Sequence, residues 1–326
     1  MRLSCFIFVI SFFLFSPLSF SKNEESMVLQ NTIPLPNVEG RLDHLSLDPK
    51  ANRLFLAALD NNTLEVVDLD SKKRIQTVQG FNEPQGVFVV QEFEKIYVSN
   101  GGSSEVNILD SQSLKILGSI KLKEDADNIR YDVKDKRIYV GSGEALFIID
   151  ALSDKIVGQV ALKGHPEAFQ LEKNGGRVFV NVPNVQKIQV IDKKKQEIVD
   201  EWPLPRGCRN FPMDLDESNG RLFVGCREIS KLLVLNSKTG KELAQLNIGN
   251  DADDVFYDPI FQRIYVSDGE GLVDVYKQVD GNHYKPLATI HTALGARTSL
   301  LDIDSHRFFL AVPHRSGQKA EIRIYH

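Results

Sequence analysis

A short apolar run opened by a basic residue returns seven times along this chain. The copies are Arg53-Leu-Phe-Leu, Lys95-Ile-Tyr-Val, Arg137-Ile-Tyr-Val, Arg177-Val-Phe-Val, Arg221-Leu-Phe-Val, Arg263-Ile-Tyr-Val and Arg307-Phe-Phe-Leu. Successive copies lie 42, 42, 40, 44, 42 and 44 residues apart. A period near 42 with several short strands per repeat makes one small sheet per period, and such sheets stack around an axis as a β-propeller. The repeat overrides the two domains that a length of 326 residues would suggest.

The second repeat shows the pattern. Residues 86–90 (Gly-Val-Phe-Val-Val), 95–99 (Lys-Ile-Tyr-Val-Ser), 106–110 (Val-Asn-Ile-Leu-Asp) and 115–122 are β-rich runs bounded by Gly, Asn, Asp and Ser. Four antiparallel strands leave two faces to cover, so each blade must stack on its neighbours. Repeats one to six supply four strands each. The seventh supplies Thr298 to Ile303, Arg307 to Val312 and Glu321 to Tyr325 before the sequence ends at His326. Residues 27–36 alternate as the other fourth strands do, and are expected to complete that last blade and close the ring, leaving no open sheet edge. The fold expected is all-β: a seven-bladed propeller of four-stranded antiparallel blades over residues 22–326. The basic residues opening the second strands are expected to be solvated. The Asp or Asn ending each third strand (Asp68, Asp110, Asp150, Asp192, Asn236) is expected to bind backbone N–H groups in the following turn.

Residues 1–21 stand apart. Arg2 is their only charge, Cys5 to Phe15 is apolar but for Ser11, and Pro17 and Ser19-Phe-Ser21 follow. This is the pattern of a signal peptide cleaved after Ser21. The apolar stretch is marginal for a span and is broken by Ser11, Ser16, Pro17 and Ser19, so no membrane span is expected after cleavage. Periplasmic or secreted placement follows. Against 39 basic residues, Arg2 included, stand 44 acidic ones. That balance disfavours steering onto nucleic acid. Export also places Cys208 and Cys226 where thiols oxidise. They flank the first two strands of blade five at the same end of the hairpin, and a Cys208–Cys226 disulfide is expected.

The chain resembles the YVTN β-propeller repeat proteins, the YncE-like group of secreted bacterial propellers. Tyr97-Val-Ser-Asn100 and Tyr265-Val-Ser-Asp268 are close to that family's Tyr-Val-Thr-Asn signature, and each is followed by Gly. Blades four, five and seven depart from it, with Asn181-Val-Pro, Gly225-Cys and Ala311-Val-Pro in its place. The resemblance implies the fold and says little about activity, because related propellers include binding proteins, lyases, lactonases and domains of redox enzymes.

Propeller ligands usually sit over the central channel. Ten residues before each basic anchor, where the innermost strand begins, stand Asp43, Gln85, Asp127, Glu167, Phe211, Asp253 and Arg297. His44, Gly86, Asn128, Ala168, Pro212, Asp254 and Thr298 follow them. The blades differ here while their core positions agree, which points to a particular ligand at the channel mouth. The ring holds four carboxylates and one arginine. The residues expected to line the site are Asp43, His44, Gln85, Asp127, Asn128, Glu167, Asp253, Asp254 and Arg297. Asp43, Asp127, Glu167 and Asp253 are candidate ligands of a divalent cation, the one candidate cofactor. His165 and His314 are further candidates from loops at that end. His283, His291 and His306 read as solvated.

No His-Glu-x-x-His, Cys-x-x-Cys, haem-attachment, Gly-x-Ser-x-Gly or phosphate-loop motif occurs, and Trp202 is the sole tryptophan. The leading expectation is a non-catalytic, monomeric binding or scaffold protein that presents the channel mouth to a small molecule, cation or protein partner. The alternative is a metal-assisted hydrolase or lactonase using the mouth carboxylates.

Overall fold

The computed structural model describes residues 27–326. The expected signal peptide, residues 1–21, lies outside the described residues. Seven four-stranded antiparallel sheets follow one another, and in six of them the strand order is the sequence order. The seventh takes Thr298–Asp302, Arg307–Val312 and Glu321–Tyr325 from one end of the chain and Leu29–Pro34 from the other. That N-terminal strand pairs antiparallel with the C-terminal one, Ile33 opposite Ile322 and Pro34 opposite Glu321. No helix among the described residues is long and apolar enough to cross a membrane.

The second and third strands of each blade are buried on both faces, because a neighbouring sheet covers each side. Phe55, Tyr97, Phe179, Phe223 and Phe309, all third in their anchor tetrapeptides, are fully buried. Each such side chain contributes about 1.5–3 kcal/mol through the area it removes from water. The fourth strands form the rim and are largely exposed, as in Ile116–Lys121.

Four of the seven basic anchors bond to the following blade instead of being left to solvent, which corrects the expectation from sequence for Arg53, Lys95, Arg177 and Arg221. These four bolt their blades to the next, whereas Arg137 pairs with Asp150 of its own blade. Arg53 Nη2 donates to the carbonyl of Ser111 at 2.6 Å. Lys95 Nζ reaches the carbonyl of Ala151 at 3.2 Å and Asp154 at 2.6 Å. Arg177 Nη1 donates to Ser237 at 2.7 Å, and Arg221 to Gly281. The acceptor is in each case a carbonyl in the outer turn of the following blade, an orphan that the strand ladder cannot satisfy. Several of these guanidinium groups also lie over an aromatic ring, as Arg177 does over Phe179 at 4.9 Å. The turn-capping role of the third-strand acids is present: the Ser71, Ser113 and Ser153 amides donate to Asp68, Asp110 and Asp150 at 2.7–2.8 Å.

Ile33 is fully buried in the closing strand, whereas Thr32 is exposed. Ile33→Ala should lower unfolding free energy by about 3 kcal/mol, as for other fully buried isoleucines. Thr32→Ala should stay within about 0.5 kcal/mol of wild type. Urea titrations of the two variants check this, and equal small effects would mean that the strand does not close the ring.

Candidate functional site

All seven residues picked out ten positions before the anchors line one cavity of about 210 Å³ at the channel mouth. Every blade therefore contributes to it. His44 and Asn128 line it as well. Asp254 does not. It faces a second cavity of about 170 Å³ deeper in the channel, shared with His44, Arg130 and Gln170. Successive residues of an extended chain point to opposite sides, which turns Asp254 away from Asp253.

The innermost strands approach closely here, and the second strands hold them. Ser99 Oγ donates to the backbone carbonyl of Asp127 in the next blade. Asn181 Nδ2 donates to Phe211 at 2.9 Å, and Ser267 Oγ to Arg297 at 2.7 Å. Each donor stands four residues after a basic anchor and fixes the mouth residue of the following blade. A Cβ at Gly86 would come within 2.5 Å of the Asp127 carbonyl, so that position takes glycine.

The mouth is not the acidic ring with one arginine that the register suggested. Arg41 and Arg227 join Arg297 along its wall. Arg41 Nη2 bonds Asp43 at 2.8 Å. Arg297 contacts Asp251 at 2.6 Å and Asp253 at 2.9 Å. Arg227 bonds Asp253 and the Ala252 carbonyl, and its guanidinium stacks 3.5 Å from the centre of the Phe211 ring. Across the cavity, Gln85 Nε2 donates to Asp125 at 2.7 Å. His165 Nδ1 sits 3.1 Å from the Gly143 carbonyl, which leaves Nε2 between Asp125 and Asp127 at 3.9 Å from each.

Arg41, Asp125 and His165 each precede a register residue by two. Side chains two apart in extended backbone share a side, so reading the ring one step upstream would have found them. Arg227 follows Cys226. The Cys208–Cys226 bond, with Cα atoms 4.4 Å apart, ties the start of blade five's innermost strand to the end of its second. It fixes the backbone from which Arg227 projects. His314 lies away from the cavity and pairs with Glu39 at 2.5 Å. His306 is half-buried rather than solvated, stacked 4.1 Å from Phe261 and 3.3 Å from Asp258.

Burial governs the protonation of this site. It drives the Asp43 and Glu167 carboxyls upward, against His44 and Arg41 for the first, and with help from Asp127 for the second. Burial also pushes Asp254 up to about 7, with His44 partly offsetting it. For His165 burial works against the charged form, but Asp127 outweighs it and raises the imidazole to about 9. For Asp253 burial would raise the carboxyl, yet Arg227 and Arg297 together hold it below the usual carboxylate range.

The four candidate cation ligands share the cavity but do not converge. Among the described residues no group of three or more His, Cys, Asp or Glu side chains could hold a metal ion. Ion pairs take up two of the four: arginines contact both oxygens of Asp253 and one oxygen of Asp43.

No family model and no curated protein matches the chain. Its similarity to solved structures is in fold. A chain from the Kuenenia stuttgartiensis hydrazine synthase superposes with a TM-score of 0.73 at 17% identity, covering 88% of this chain and 97% of that one. A chain from the mitotic checkpoint complex superposes at 0.79 with 13% identity, covering 98% of each.

Two expectations follow. Glu167, Asp254, Asp43 and His165 all have folded-state values above their unfolded ones, so the native state binds more protons than the unfolded chain. Their contribution is complete at low pH and is lost as pH rises through the raised values. The melting temperature should therefore fall between about pH 5 and 9, and Glu167→Gln should flatten that fall. A profile that rises over this range would contradict the assignment. Secondly, peptide mapping without reductant should recover Cys208 and Cys226 in one linked fragment, and reduction should cost about 3 kcal/mol of stability.

Proposed function

We propose that this protein is an exported propeller of the YVTN, YncE-like kind that binds a small polar molecule at the channel mouth without transforming it. The observation that supports this most is the cavity of about 210 Å³ to which every blade contributes a different side chain. A repeat that keeps its core positions alike and diverges around one opening points to that opening as the place of its chemistry. Fold likeness adds no activity, since one structural neighbour comes from an enzyme and the other from a protein assembly. The wall is suited to hold a ligand: the arginines are oriented by carboxylates, and the backbone beneath is fixed by hydrogen bonds from the second strands.

Metal-assisted hydrolysis has less support. It needs several ligands on one ion and an open coordination position. The mouth carboxylates are instead distributed around the wall in pairs with arginine and histidine.

Thermal-shift screening against divalent cations, sugars, organic anions and amino compounds tests the reading. At least one class should raise the melting temperature of the wild type, and Asp127→Ala combined with Arg297→Ala should weaken its binding at least tenfold. The exposed-turn variant Lys238→Ala should bind as wild type does. The ligand should be recovered chemically unchanged by mass spectrometry. Shifts indifferent to the mouth substitutions, or conversion of the ligand, would overturn the proposal.

A further inference from the structure

The arginines lie on one side of the mouth, paired with Asp43 and Asp253, and the opposite side carries acids with His165 among them. The arginines belong to blades one, five and seven: Arg41, Arg227 and Arg297. Facing them, blades three and four bring Asp125, Asp127 and Glu167. Each arginine is held by a carboxylate through part of its fork only. Arg227 uses Nε and Nη2, and Arg297 uses Nη1 and Nε. Arg41 uses Nη2. A guanidinium presents five N–H groups in a fixed plane, so each retains donors, already oriented, for an anionic group.

The opposite wall offers acceptors. The Glu167 carboxyl takes part in no hydrogen bond or ion pair among the described residues, although it feels Asp127, His165 and Arg227 electrostatically. Asn128 supplies an independent sign. The residue is 3% exposed and lines the cavity, and its Oδ1 has no hydrogen-bond partner. Its Nδ2 lies 3.4 Å from Asp127 Oδ1, which fixes the amide with the carbonyl oxygen as the orphan. A buried acceptor without a donor costs roughly 1–3 kcal/mol, a cost that a donor from a ligand would remove.

We propose that the mouth takes a zwitterionic amino-carboxylate. Its ammonium lies against Asn128 Oδ1, Asp127 and Glu167, and its carboxylate lies against the free donors of Arg227, Arg297 and Arg41. This deepens the small-ligand reading above and rests on it. A neutral sugar would leave both charged walls desolvated without compensation. A simple anion would face the carboxylates, and a simple cation the arginines.

Calorimetric titration of the protein with glycine, β-alanine, 4-aminobutyrate, 6-aminohexanoate and the dipeptide Gly-Gly tests this. Parallel titrations use the matching primary amines and N-acetylated acids. At least one zwitterion should bind, and at least tenfold more tightly than its amine and its N-acetyl counterpart. Asn128→Leu and Glu167→Gln should each lower affinity for the zwitterion at least fivefold, with melting curves checking that both variants fold. If an N-acetyl acid or an amine binds as well as the zwitterion, the proposal is wrong. If only sugars or divalent cations bind, and do so through the mouth residues, the zwitterion fails while the small-ligand site stands. If nothing in any class binds at the mouth, both fail.

Discussion

The pairing of residues 29–34 with residues 321–325 is the contact on which the rest of this structure depends. Seven sheets make a ring only if the last meets the first. Here the seventh sheet is made from both ends of the chain, so closing the sheet and closing the ring are the same event. The strand contributes few residues, but Ile33 and Leu35 pack into a cluster with Leu54 and Leu56 of blade one and Phe309 and Ile322 of blade seven. That cluster joins blades one and seven, the two blades that carry Arg41, Asp43 and Arg297 of the mouth wall.

A second layer of organisation runs between neighbouring blades. On the outer side, four of the seven basic anchors reach turn carbonyls one blade ahead. On the axial side, Ser99, Asn181 and Ser267 reach the backbone of Asp127, Phe211 and Arg297. Both devices recur because each blade meets the next in the same relative position. The short polar residue four after the anchor thus positions a mouth-lining residue that its own blade does not contain. Its direct role is structural, and the mouth geometry follows from it.

This explains what could be read from sequence and what could not. Blade count, strand order and closure follow from a period and from an apolar alternation, both of which are local signals. The mouth register was equally legible, because residues ten before each anchor share one backbone geometry. The charge balance was not. Arg41 and His165 stand in the linkers before the register, and Arg227 lies just past a second strand. Their approach depends on how linkers bend across the hub and on the disulfide at Cys226. The anchors misled for a related reason. A basic residue after a turn normally meets water, and only the presence of the next blade turns it into a clamp. Asp254 stands next to Asp253 in the register, and strand alternation sends the two into different cavities.

Hydrogen exchange of the segment spanning residues 29–34 addresses the central claim most directly. Closure by this strand predicts that its paired amides exchange only through global unfolding, as slowly as those of Tyr97 and Val98 in a buried second strand. Exchange of these amides at the rate of an unstructured peptide, while the second strands remain protected, would contradict it.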